Sequence, residues 1–151
     1  MKKLSIITVC YNSEKTIRDA IESVLSQDYP EIEYIVIDGL SNDNTINIIN
    51  EYRGGISKFI SEPDQGIYAA MNKGIKYSTG DIVGILNSDD FFENSFVISD
   101  VVNHFKSHPA ASLVIGNVVY VEPNNAEKIT RFYSSARVKR WKLRFGWMPP
   151  H

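Results

Sequence analysis

Four apolar runs rich in β-branched residues, each leading into polar or acidic residues, constrain this chain more than any other feature. They are "LSIITVC" (4–10), "IEYIVID" (32–38), "ISKFISE" (56–62) and "DIVGILN" (81–87). A continuous apolar run, unlike an alternating one, is the pattern of a strand covered on both faces, so the first run is expected to lie centrally in a sheet. Segments with helical spacing separate the runs. Residues 14–27 place Ile17, Ala20, Ile21, Val24 and Leu25 on one stripe, with Asn12 or Ser13 as the N-cap. Residues 45–52 predict a short helix with Ile46 and Ile49 inward, and 66–78 a longer one. Residues 94–106 predict a helix burying Val97, Val101 and Phe105. Strand and helix in strict alternation imply an α/β fold with a mostly parallel sheet flanked by helices.

The rhythm changes after residue 110. "SLVIGNVVYVE" (112–122) and "EKITRFY" (127–133) are joined by "PNNA", with no room for a helix, and predict a C-terminal β-hairpin. A length of 151 residues with 43% hydrophobic content suits one domain over 1–151.

Charge is distributed unevenly. All 18 acidic residues fall between Met1 and Glu127 with only nine of the 16 basic ones, a net of −9; residues 128–151 carry seven basic residues and no acid. The acidic body argues against nucleic-acid binding. Cys10 is the single cysteine, so neither an intrachain disulfide nor a cysteine zinc site can form, which suits a reducing, cytoplasmic setting. The first apolar run is far shorter than the ~20 residues a spanning helix needs.

In an open α/β sheet, ligands bind beyond the carboxyl ends of the strands. Those ends are acidic here: Asp38, Asp64 in "SEPDQG", and the pair Asp89 and Asp90 in "GILNSDDFF". Two adjacent like charges repel, and a divalent cation would relieve them. The segment after the first strand, "VCYNSEKTI", holds no glycine, which removes the dinucleotide fingerprint; Walker and nucleophile-elbow motifs are absent as well. Carboxylates with Mn²⁺ or Mg²⁺ remain, a donor set that substrate phosphates complete.

Four pieces in order, "SIITVCYNSEKTI", "IEYIVIDGLSNDNT", "SEPDQGIYAAMNKGI" and "TGDIVGILNSDD", resemble glycosyltransferase family 2, inverting enzymes of the GT-A fold, particularly bacterial members that build surface polysaccharides. The resemblance implies metal-dependent transfer of a sugar from a nucleotide-sugar donor, with UDP as the expected carrier, to a saccharide or lipid-linked saccharide acceptor. It implies that Thr8 and Tyr11 hold the base with Glu14 nearby, that Asp38 reads it, and that Asp64 lines the donor pocket. "NSDD" stands for the family's metal motif, with Asp89 on ribose or metal and Asp90 beside it, either being the direct ligand. Asn87 stands where many relatives have the first Asp of that motif. Two further departures are visible: the loop "DGLSNDNT" lacks glycines common in relatives, and Ala69 stands where an Asp is common.

The family's catalytic base follows the segment that "GWMPPH" resembles, so the resemblance implies a nucleotide-binding portion of a longer protein, and no base is named here. The basic, aromatic stretch "RVKRWKLRFGW" (137–147) offers either a peripheral contact with the inner face of the plasma membrane or a face whose aromatic residues pack on a further part of the protein. Two other functions fit parts of the pattern: a non-catalytic module of the same fold for nucleotide-sugar binding or protein contacts, and a metal-dependent nucleotidyltransferase. The latter's glycine- and arginine-rich first loop is missing.

Overall fold

The computed structural model describes residues 1–122 and 125–137. They form two compact units, Met1–Lys106 and Ser107 onward. The first holds four parallel strands, β1 (Leu4–Cys10), β2 (Ile32–Asp38), β3 (Lys58–Ser61) and β4 (Ile82–Asn87), in the order β3-β2-β1-β4. All seven residues of β1 are buried, as expected of a strand paired on both sides: Leu4 to Cys10 run against Ile32 to Asp38, and Leu4 to Val9 against Ile82 to Asn87. Each fully buried Ile of this strand contributes about 1.5–3 kcal/mol.

The helices are α1 (Ile17–Leu25), α2 (Thr45–Glu51), α3 (Ile67–Tyr77) and α4 (Val97–Ser107). Leu4, Ile6 and Val36 point to one face of the sheet and meet Ile17, Ile21 and Val24 of α1, Ile48 and Ile49 of α2, and Ile98 and Val102 of α4. Ile7, Val9, Ile35 and Ile37 point to the other face, where Ala70 of α3 covers them. Close approach of α3 depends on Gly74, because a Cβ there would lie 2.3 Å from Ile7 Cγ2.

Several helix details differ from the sequence expectation. The first helix begins at Ile17 after a turn in which the amides of Thr16 and Ile17 donate to Ser13 O, so neither Asn12 nor Ser13 is its cap, and Leu25 is 40% exposed. In α2 the inward pair is Ile48 and Ile49 with Thr45, while Ile46 is half-buried. In α4 Ile98 and Val102 are buried and Val97, Val101 and Phe105 only partly so, a rotation of one residue. Both alternatives are apolar at helical spacing, and the packing partner decides between them.

The second unit contains β5 (Val118–Glu122) and β6 (Asn125–Tyr133), an antiparallel hairpin with an irregular register around Val121. The expected strand over 112–117 is not formed. Tyr133, the last residue of β6, pairs with Val118, so nothing in the hairpin remains to bond the preceding residues. Residues 138–151 lie outside the described part, and with them most of the stretch 137–147. Among the described residues no helix is long and apolar enough to cross a membrane.

Candidate functional site

The chain winds from β1 outward to β3, then crosses back to place β4 on the other side of β1. That reversal parts the loops after β1 and β4 and leaves a crevice beyond their carboxyl ends. A cavity of about 630 Å³ occupies it, lined by Val9 to Thr16, Asp43, Asp64, Gly66, Ile67, Ala70 and Asn87 to Asp89.

The loop after β1 is fixed by the loop after β2. Asn12 adopts a left-handed φ of 50°, a conformation its short amide side chain tolerates. Its N–H donates to Ser41 Oγ at 2.8 Å and its Oδ1 accepts from the Asn42 amide at 2.9 Å. Ser13 N–H donates to Thr45 Oγ1 at 2.7 Å, and Glu14 N–H to Asp43 Oδ2 at 3.1 Å. Glu14 Oε2 accepts from the Asn44 amide at 3.0 Å. The Ser13 and Ser88 hydroxyls, 2.9 Å apart, tie the same loop to the end of β4.

Of the sequence-predicted residues, the structure brings Tyr11, Glu14, Asp64 and Asp89 to the cavity wall. Tyr11 is 61% exposed. Two others stay beneath it. Thr8 is fully buried and accepts the Tyr34 hydroxyl at 3.1 Å. Asp38 is fully buried too, its carboxylate accepting the Ser41 amide at 3.0 Å, the Ser61 hydroxyl at 2.6 Å and the Ser41 hydroxyl. The Cys10 thiol, 3.6 Å from Asp38 Oδ1, is pushed above its ordinary pKa by burial and then by the Asp38 charge, which keeps it a protonated donor.

Asp43 is a cavity residue that the sequence reading placed only in a loop of turn formers. Burial pushes its pKa up, but the Thr45 hydroxyl and the amides of Thr45, Glu14 and Asp43 itself together push it further down, so it stays ionised. The signal in the sequence was the Asp two residues before Thr45, whose amide it accepts at 3.0 Å in an Asx turn. Lys15 adds a cation to this wall.

At the end of β4 the chain makes a tight turn in which Asp90 N–H donates to Asn87 O at 3.1 Å. The Asn87 side chain donates Nδ2 to Asp90 Oδ2 at 3.3 Å, while its Oδ1 is buried without a partner. An unsatisfied buried oxygen beside two carboxylates is a hard donor set, and it fits Mn²⁺ or Mg²⁺. Among the described residues no group of three or more His, Cys, Asp or Glu side chains is arranged to hold a metal. The residues at hand therefore offer a partial shell of the kind phosphate oxygens complete.

A parallel sheet with this winding, flanked by helices and bearing the cavity at its reversal, is the GT-A fold that the solved glycosyltransferase structures below share. The chain belongs to glycosyl transferase family 2, whose family model matches residues 5–149. Among curated proteins it is 36% identical over 119 residues to the poly-β-1,6-N-acetyl-D-glucosamine synthase of Staphylococcus epidermidis, covering 76% of this chain and 28% of the synthase. An uncharacterized glycosyltransferase of Mycobacterium tuberculosis is 37% identical over 100 residues, covering 66% of this chain and 38% of its own length. The chain thus spans about a third of these relatives.

Among solved structures, S. aureus TarS 1–349 in complex with UDP-GlcNAc superimposes with a TM-score of 0.66 at 30% identity, covering 71% of this chain and 32% of that one. A mannosyltransferase from Pyrobaculum calidifontis, in complex with GDP-Man and Mn²⁺, matches with a TM-score of 0.65 over 83% of this chain and 37% of that one. At 22% identity that likeness shows the fold.

Proposed function

We propose that the protein binds a UDP-sugar in this cavity and takes part in inverting, metal-dependent transfer of the sugar to a saccharide or lipid-linked acceptor in surface polysaccharide synthesis. The observation that carries the reading is one cavity, at the point where the sheet reverses, that gathers Tyr11, Glu14, Asp64 and Asp89 from three separate strand-to-helix connections. Tyr11 offers an exposed aromatic face to a base. Asp89 and Asp90, with the Asn87 oxygen, would hold Mn²⁺ or Mg²⁺, which when bound supplies charge neutralisation for the diphosphate leaving group. Lys15 brings a second positive charge to the same wall. The relative crystallised with UDP-GlcNAc and the polysaccharide synthase among the curated relatives support donor and pathway class alike. For location the reading is the cytoplasmic side of the plasma membrane, with the basic residues of 137–147 as the contact.

Titration calorimetry with UDP, with Mn²⁺ and then with chelator, tests this. Binding is expected with the cation and lost without it, since the acidic wall repels a bare diphosphate. Asp89→Ala should abolish the cation-dependent part while leaving the melting temperature unchanged. Equal affinity in all three samples would sink the metal assignment, and no binding in any would sink the nucleotide reading.

A further inference from the structure

Residues directly opposite each other in an antiparallel hairpin point their side chains to the same side. Val119 lies opposite Phe132 and Val121 opposite Ile129, so these four share one face of the β5–β6 hairpin. Ile129 and Phe132 are three residues apart and would fall on opposite faces of a regular strand. The register shift between Tyr120 and Val121 takes up one residue, Thr130, whose hydroxyl donates to Tyr120 O at 3.1 Å. A bulge of this kind re-aims the side chains beyond it, and here it makes the face wholly apolar.

The opposite face is satisfied within the hairpin. The Tyr120 and Tyr133 rings lie 5.8 Å apart, Arg131 stands over the Tyr133 ring and donates to its hydroxyl at 3.1 Å, and Lys128 pairs with Glu122 at 2.6 Å. On the apolar face, by contrast, Ile129 and Phe132 are 56% and 57% exposed. A two-stranded hairpin is marginal in water unless such a face is covered.

We propose that the face of Val119, Val121, Ile129 and Phe132 is a shallow membrane anchor that enters an anionic leaflet; the inference deepens the peripheral location proposed above and rests on it. Charge names the occupant. From Val118 onward the chain carries seven Lys and Arg against two acids, Glu122 and Glu127, an excess that a layer of anionic headgroups attracts. Four side chains fall far short of the ~20–30 residues a side of a specific protein interface. Attachment to a lipid surface instead sums a small apolar area with the attraction of basic residues, and the chain offers both.

The test is flotation of the whole chain with vesicles of phosphatidylcholine alone, and of phosphatidylcholine mixed equally with phosphatidylglycerol. The parent protein should float with the mixed vesicles and about tenfold less or lower with the neutral ones. Ile129→Thr with Phe132→Thr keeps strand-forming residues and should lower partition onto the mixed vesicles by about tenfold or more. A second readout does not depend on that variant: an environment-sensitive fluorophore on Phe132→Cys or on Tyr120→Cys, Cys10 being buried. Emission from position 132 should shift to the blue with mixed vesicles, and emission from position 120 should not. Undiminished flotation of the double variant, no shift at position 132 or an equal shift at both would overturn the inference and leave the location reading to charge alone. Equal flotation with neutral vesicles would overturn the anionic assignment, and a parent protein that ignores both vesicles overturns the location reading as well. Dimers that form without vesicles and are abolished by Phe132→Thr would give the face to a second copy and overturn it too.

Discussion

Glu33 and Lys3 form an ion pair of 2.7 Å at the amino end of the sheet, the end away from the cavity. Glu33 also accepts the Ser5 hydroxyl at 2.6 Å and both the amide and hydroxyl of Thr79, at 2.7 and 2.6 Å. One carboxylate thereby clasps β1, β2 and the segment leading into β4.

Burial alone would raise the Glu33 pKa, but its bonds to Lys3, Ser5 and Thr79 outweigh it and bring the group from 4.5 to about 2. A folded-state pKa below the unfolded one means that the stabilisation is complete above 4.5 and disappears as pH falls through about 2. The melting temperature of the parent should therefore exceed that of Glu33→Gln by a constant margin near neutrality, and the margin should shrink across that window. A margin unchanged at low pH would show that the clasp is not ionic.

Asp38→Ala is expected to act on stability. It strips three donors, the Ser41 amide and the hydroxyls of Ser41 and Ser61, of a buried charged acceptor. The cost should be about 3 kcal/mol or more, read from urea denaturation. A variant as stable as the parent but defective in UDP binding would instead support the base-reading role that the resemblance implies for Asp38.

Leu40 has a left-handed φ of 64° and a side chain 52% exposed. A branched side chain there pays conformational strain and recovers little by burial. Leu40→Gly should raise stability by about 1 kcal/mol, less than the full strain because glycine is freer in the unfolded chain. An unchanged or lower midpoint in urea would mean that Leu40 gains contacts which offset the strain.

The strands and their direction were legible because their signal is local. The apolar run of β1 is fully buried over its predicted span, and the strand lies inside the sheet as expected. The helix faces of α2 and α4 were less so, since adjacent apolar residues such as Val97 and Ile98, or Val101 and Val102, offer two registers that only packing resolves. At the site, Tyr11 and Asp89 follow their strands into the crevice. Asp38 is enclosed and Asp43 stands at the cavity wall for non-local reasons. Ser61 of β3 closes over the first, while the Glu14 amide from the loop after β1 draws the second to the wall. Neither partner is near in sequence, so periodicity carries no trace of them.

The reversal of winding that opens the crevice also sets the order in which the chain can become functional. β1 and β2 meet early in synthesis, but β1 waits for β4; the Lys3 amide reaches Asp81 across 78 positions. Closing so long a loop is slow, and until it closes β1 shows an unpaired apolar edge to whatever strand it meets. The cavity wall contributed by Asn87 to Asp89 does not exist before that step. If the cavity takes the nucleotide proposed above, recovery of nucleotide binding during refolding is a clock for the last pairing of the sheet.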